Sequence, residues 1–122
     1  MTDSRRGRLA DDARDRLAAE RAGAAERLAA LEREFAGMVE SASQSNADDE
    51  HDPEGATIAF ERQHIAALVR SAQERLAEID LTLARLADGS YELCERCGRP
   101  IGAERQAARP ATRTCISCAP RR

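Results

Sequence analysis

Residues 94–118 read Cys94-Glu-Arg-Cys97-Gly-Arg-Pro-Ile-Gly-Ala-Glu-Arg-Gln-Ala-Ala-Arg-Pro-Ala-Thr-Arg-Thr-Cys115-Ile-Ser-Cys118. The pattern is C-x2-C-x17-C-x2-C, and it contains all four cysteines of the chain. Two residues between thiols let a tight turn place both sulfurs on one ion. Gly98, behind the first pair, permits a positive φ there. Two such turns complete a tetrahedron of thiolates and leave no open position for a substrate. The spacing therefore predicts one structural Zn²⁺ held by Cys94, Cys97, Cys115 and Cys118. Two competing readings are weaker. Paired disulfides suit an oxidising compartment, and a redox pair needs a neighbouring βαβ unit, of which the sequence gives no sign. Residues 90–122 hold three of the four prolines, few apolar side chains and no helical period. A segment of that kind is expected to need a metal in place of a core.

Upstream of the cysteines the apolar residues recur in heptads. From 9 to about 40, Ala10, Leu17, Ala24, Leu31 and Met38 form one column and Leu28 and Phe35 a second, with Arg14 and Arg21 filling the second column near the N-terminus. From Pro53 or Thr57 to Ala87, Ile58, Ile65, Ala72, Ile79 and Leu86 form one column and Val69, Leu76 and Leu83 the other. A two-column seam is the pattern of a coiled coil. Gly89 and Ser90 end the second helix, glycine being favoured just past a helix end. Two helices of similar length with a short polar connection predict an antiparallel hairpin within one chain, and pairing between chains is the alternative. A turn centred near Asp48 places Met38 by Ile58, Leu31 by Ile65, Ala24 by Ala72, Leu17 by Ile79 and Ala10 by Leu86. The expected organisation is thus mainly α: a coiled-coil hairpin over 1–88 with its tip at about 41–56, then a zinc module over 89–122. The helices are expected to outlast removal of the metal, because the seam contains no cysteine.

The connection is acidic. Asp48, Asp49, Glu50, Asp52 and Glu54 lie within seven residues without one arginine. Asp52-Pro53 suits a helix N-cap followed by a first-turn proline, and Glu54 suits the helix dipole. Asp48, Asp49 and Glu50 are not needed as caps, and capping does not exclude a further role for Asp52, so all five acids, Asp48, Asp49, Glu50, Asp52 and Glu54, are candidates for partner contact. His51 sits in a loop with no companion histidine, and His64 flanks the seam; neither is assigned a site. Phe35 and Phe60 are expected to pack and stiffen the tip. Arg96, Arg99, Arg105, Arg109 and Arg113 suit contact with nucleic acid or with an acidic protein surface, or simple pairing with glutamates.

Composition narrows the function. The 122 residues carry 34% charged and 2% aromatic side chains, too few aromatics for a broad globular core or a base-stacking platform. A β-sandwich, a β-barrel and a doubly wound sheet are excluded. Net charge is −3, with 12 Arg against 18 acids over 1–87 and 7 Arg against 4 acids over 88–122, so the chain as a whole is no polycation for nucleic acid. No apolar run approaches the roughly 20 residues of a membrane span. Met1 to Arg8 is basic but leads into no apolar signal core, so a soluble cytoplasmic protein is expected. There is no catalytic dyad, phosphate loop or open metal position, so no enzyme is expected.

The stretch from Asp88 through Gly89, Tyr91, Cys94, Cys97-Gly98, Ile101, Arg105, Ala108 and Pro110 to Cys115 and Cys118 closely resembles the DksA/TraR zinc-finger family. Asp52-Pro53 ahead of a long helix resembles that family's coiled-coil tip. The resemblance implies a monomeric transcription regulator that binds RNA polymerase rather than DNA. It implies that the hairpin enters the polymerase secondary channel, that acids at the tip approach the catalytic centre, and that the zinc module sits at the base. Larger members act with the alarmone ppGpp. A zinc-ribbon adaptor or DNA-binding module with a coiled-coil dimerisation arm is the alternative. The sequence departs from the family at three places. The tip pattern Asp-x-x-Asp-x-Ala is incomplete: starting at Asp52 it meets Gly55 and Thr57, and starting at Asp49 it meets Asp52 and Glu54. Glu92 replaces a glycine after Tyr91, and Gln106 replaces a leucine after Arg105. No C-terminal helix of the kind longer members carry is expected to follow the zinc module.

Overall fold

The heptad segments fold as two long helices, α1 (Thr2–Gln44) and α2 (Pro53–Asp88), which form a hairpin; a short third helix, α3 (Ala103–Ala108), lies between the two cysteine pairs. The computed structural model describes residues 2–44 and 53–120. Asp48, Asp49, Glu50, His51 and Asp52 therefore lie outside the described residues, while Glu54 falls in the first turn of α2. The described part contains no strand, only an isolated bridge between Leu93 and Pro100.

The first long helix exceeds its expected bounds, and the second keeps to them within one residue. α1 begins before Gly7 rather than at residue 9 and continues past residue 40. Glycine inside a helix costs about 1 kcal/mol relative to alanine. The cost is small against the rest of a 43-residue helix, and Gly7, Gly23 and Gly37 do not interrupt α1. α2 begins at Pro53, where the missing N–H costs nothing because the first turn has no intrahelical acceptor. Its end is the expected one: Gly89 follows at φ 84°, and Ser90 N–H donates to Arg85 O at 3.0 Å. The Asp88 carboxylate accepts from the Ser90 hydroxyl and backbone N–H, and these bonds hold its pKa below the usual carboxylate value.

The chain forms two compact units, Gly23–Leu76 and Met1–Ala22 with Ala77–Arg122. The first has a narrow core of Leu31, Ile65 and Ala72, with Leu28, Phe35, Met38, Leu68 and Val69 packed against it. Ile65, Leu68, Val69 and Ala72 are spaced i, i+3, i+4 and i+7, the four corners that receive one knob in coiled-coil packing. Leu31 shares this core with Ile65, its expected neighbour, and with Ala72. Phe35 packs as expected. Phe60 does not: it is 72% exposed, because it lies off both heptad columns of α2 and faces away from the seam.

The second unit is better buried. Leu17 and Ile79 are fully enclosed, and Ala13, Leu86, Tyr91 and Ile101 complete the interior. Removing a large buried side chain costs the transfer energy plus a cavity, so Leu17→Ala should destabilise this unit by about 2–5 kcal/mol. Differential scanning calorimetry should show the loss, and an unchanged transition would place Leu17 outside the core. Arg14 and Arg21, which thin the apolar seam here, are used differently. Arg14 pairs with Asp11 at 3.0 Å, and Arg21 reaches Asp80 of α2 at 2.6 Å. The hydrogen bond from Arg21 lowers the Asp80 pKa from its usual 3.8. A depressed carboxylate stabilises above its unfolded pKa and loses that contribution as pH falls through the folded value. Wild type should therefore melt above Asp80→Asn at neutral pH and low salt, and the gap should close below pH 3.8 or in high salt. A gap that persists in acid would show that the pair is not its source.

Candidate metal centre

Each cysteine pair sits on a tight backbone turn. In the first, Gly98 N–H donates to Cys94 O at 2.9 Å with Gly98 at φ 74°, as the glycine there predicts. Cys94 N–H donates to Arg99 O at 2.8 Å and Ile101 N–H to Glu92 O at 2.8 Å, closing the loop around Leu93 and Pro100. In the second, Cys118 N–H donates to Cys115 O at 3.1 Å. The Glu95 N–H bond to Arg113 O, 2.9 Å, and the Arg113–Glu95 ion pair, 3.3 Å, hold the approach to the second turn against the first.

The four sulfurs converge. All are free thiols, and all lie within 4.8 Å of one another, with Cys97 and Cys115 Sγ 3.7 Å apart. A tetrahedral Zn²⁺ with bonds of about 2.3 Å needs sulfurs about 3.8 Å apart. A disulfide needs about 2.05 Å. The geometry is thus that of a single-ion site, and the disulfide reading falls. Desolvation opposes ionisation of Cys94, but N–H groups of Cys115, Cys97 and Arg96 outweigh it and bring its pKa down to about 6. Cys118 N–H lowers Cys115, while the Cys115 sulfur pushes Cys118 up to about 12. Four thiolates this close cannot coexist without a cation among them, and a bound metal supplies one.

Sequence reading missed the contacts that fix this centre to the helices of the same unit. Residues 90–122 show no helical period, and the short helix within them, α3, has six residues, too few to show one. Gln106, one of the departures from the family pattern, is 2% exposed on α3 and donates through Nε2 to Tyr91 O at 2.7 Å. The Tyr91 hydroxyl donates to Pro110 O at 2.9 Å, and desolvation raises its pKa. Thr82, fully buried on α2, shares its hydroxyl between the carbonyls of Glu78 at 2.9 Å and Ala111 at 3.2 Å. Arg16 of α1 donates to Ala107 O at 2.6 Å, and Arg6 of α1 pairs with Glu92 at 3.7 Å. Arg85 of α2 donates to the carbonyls of Ser90 and Leu93. Both long helices thereby bond the backbone of the cysteine segment. Tyr91→Phe leaves the Pro110 carbonyl without its donor and should cost about 1–2 kcal/mol, read from urea midpoints at unchanged zinc content. No loss would mean that a water replaces the phenol.

No helix among the described residues is long and apolar enough to cross a membrane. The model of the prokaryotic dksA/traR C4-type zinc finger matches residues 89–122. A solved structure of the transcription factor DksA2 from Pseudomonas aeruginosa superposes with a TM-score of 0.72 at 30% identity, covering 89% of this chain and 78% of that one. General stress protein 16O of Bacillus subtilis (strain 168) is 29% identical over 90 residues, 73% of this chain and 55% of that protein. A protein of Aquifex aeolicus (strain VF5) is 48% identical over 44 residues, 36% of this chain and 30% of that one.

Proposed function

Because the chain belongs to the DksA/TraR family of C4-type zinc-finger proteins, we propose that it is a transcription regulator whose partner is RNA polymerase. The observation that carries this reading is the likeness to a transcription factor over nearly the whole chain, hairpin and cysteine centre together. The chain acts by binding. Zinc, when bound to the four thiolates, cross-links the two turns and leaves no coordination position for chemistry. The hairpin, residues 1–88, enters the secondary channel and delivers the acids of its tip, Asp48, Asp49, Glu50, Asp52 and Glu54, toward the catalytic centre. Residues 89–122 hold it at the channel mouth. Negative charge at the tip suits a site lined by basic groups and Mg²⁺. The protein works as a monomer in the cytoplasm, where the polymerase is. Purified core polymerase retained by the immobilised zinc-loaded chain, with no retention of promoter DNA alone, is the expected result. Retention of DNA without polymerase would favour a zinc-ribbon DNA-binding module instead.

A further inference from the structure

An open groove of about 620 Å³ lies on the cysteine segment, away from the bonds that tie it to α1 and α2. Ile101, Glu104, Arg105, Ala108, Arg109 and Ile116 are among the residues that line it. Ile116 sits between the two cysteines of the second turn and is 75% exposed, the most exposed large aliphatic among the described residues. The turn is closed by the bond from Cys118 N–H to Cys115 O, and a zinc held by Cys115 and Cys118 would fix it on either side of Ile116.

The charge on this face is unbalanced. Glu92 is engaged by Arg6 and Glu95 by Arg113, which leaves Glu104 as the groove's one acid. Among the described residues no acid pairs with Arg96, Arg99 or Arg109. Arg105 donates through Nε to Thr114 O at 3.0 Å, which fixes its guanidinium before any ligand arrives. A fixed arginine, a second arginine four residues on and an exposed aliphatic form a surface with two demands. The arginines call for carboxylates, and the isoleucine calls for an apolar side chain beside them.

We propose that this groove docks a segment of the polymerase that carries one or two carboxylates next to an aliphatic or aromatic side chain. The inference rests on the reading of the chain as a polymerase-binding regulator. A nucleic acid is the less suited occupant: it would satisfy the arginines but leave Ile116 against a charged backbone, and the groove offers no aromatic ring for base stacking.

The test uses zinc-loaded full chains and core polymerase assembled on a DNA–RNA scaffold. Arg109→Glu and Ile116→Glu should each weaken binding about tenfold or more, and Ile116→Leu should bind within about twofold of wild type. Both acidic variants should keep wild-type helicity and one zinc per chain, since the two side chains are exposed. A photo-reactive phenylalanine analogue in place of Ile116 should cross-link to a polymerase peptide containing Asp or Glu beside an apolar residue. Wild-type affinity in both acidic variants would overturn the groove while leaving polymerase binding intact. Cross-links to the scaffold strands would overturn it in favour of nucleic acid. A wild type that does not bind polymerase at all would overturn both the groove and the function from which it is argued.

Discussion

Chelation of zinc should unfold more than the cysteine segment. A metal-free chain is expected to lose amide protection over 89–120 and also over 2–22 and 77–88, while 23–76 retains its protection. Apparent binding energies of structural zinc in small modules are about 10–16 kcal/mol, so losing it removes the main support of a segment with little core. The wider reach follows from how the unit is built. Tyr91, Ile101 and Gln106 share its interior with Leu17, Ile79 and Thr82. Arg16, Thr82 and Arg85 spend their hydrogen bonds on carbonyls of the cysteine segment. When that segment unravels, Thr82 and its neighbours lose partners inside a region that had excluded water. The expectation from sequence that the helices simply outlast the metal therefore applies to the unit centred on Leu31, whose cluster contains no residue of the cysteine segment. Hydrogen exchange with and without chelator, with native mass spectrometry counting one zinc per chain, checks the claim. Protection lost only over 89–120 would show that the bonds to α1 and α2 carry little.

Reversing the charge of the tip should abolish any effect on transcription and leave the fold intact. The variant combines Asp48→Lys, Asp49→Lys, Glu50→Lys and Asp52→Lys. Exposed loop charges contribute little to stability, and a lost N-cap ahead of Pro53 costs about 1 kcal/mol. Binding to polymerase should survive in weakened form through the helix flanks and the groove. The bound variant would bring positive charge to a centre that holds Mg²⁺ and basic groups, and so would not act there. In vitro transcription at equal occupancy reads the difference. Identical output from wild type and variant would make the tip a solvated turn.

What the sequence discloses depends on how local the physics is. The metal centre is legible because thiolate chemistry demands a two-residue spacing, and the four sulfurs do converge. The long helices are legible because each heptad residue repeats the same demand: Ile65, Ala72, Ile79 and Leu86 are buried as that column requires, and Ile58, at its end nearest the tip, is 41% exposed. Phe60 is a misreading of residue type over position: an aromatic two places past Ile58 has no seam to enter. Thr82, Gln106 and Arg16 were not legible, because their partners lie 29, 15 and 91 residues away and nothing in the local pattern announces them. Gln106 and Glu92 stand out in sequence only as departures from a family pattern. The structure gives each a purpose, a buried bond to Tyr91 O and an ion pair with Arg6.

The placement of the tip beside the catalytic centre is the claim on which the proposed function turns. Replacing the catalytic Mg²⁺ of polymerase by Fe²⁺ makes that centre a local source of hydroxyl radicals, which cut only the backbone close to it. With the end-labelled, zinc-loaded chain bound, cleavage is expected to concentrate within residues 45–54, with little over 89–120. No cleavage in a bound chain, or cuts centred on the cysteine segment, would contradict it.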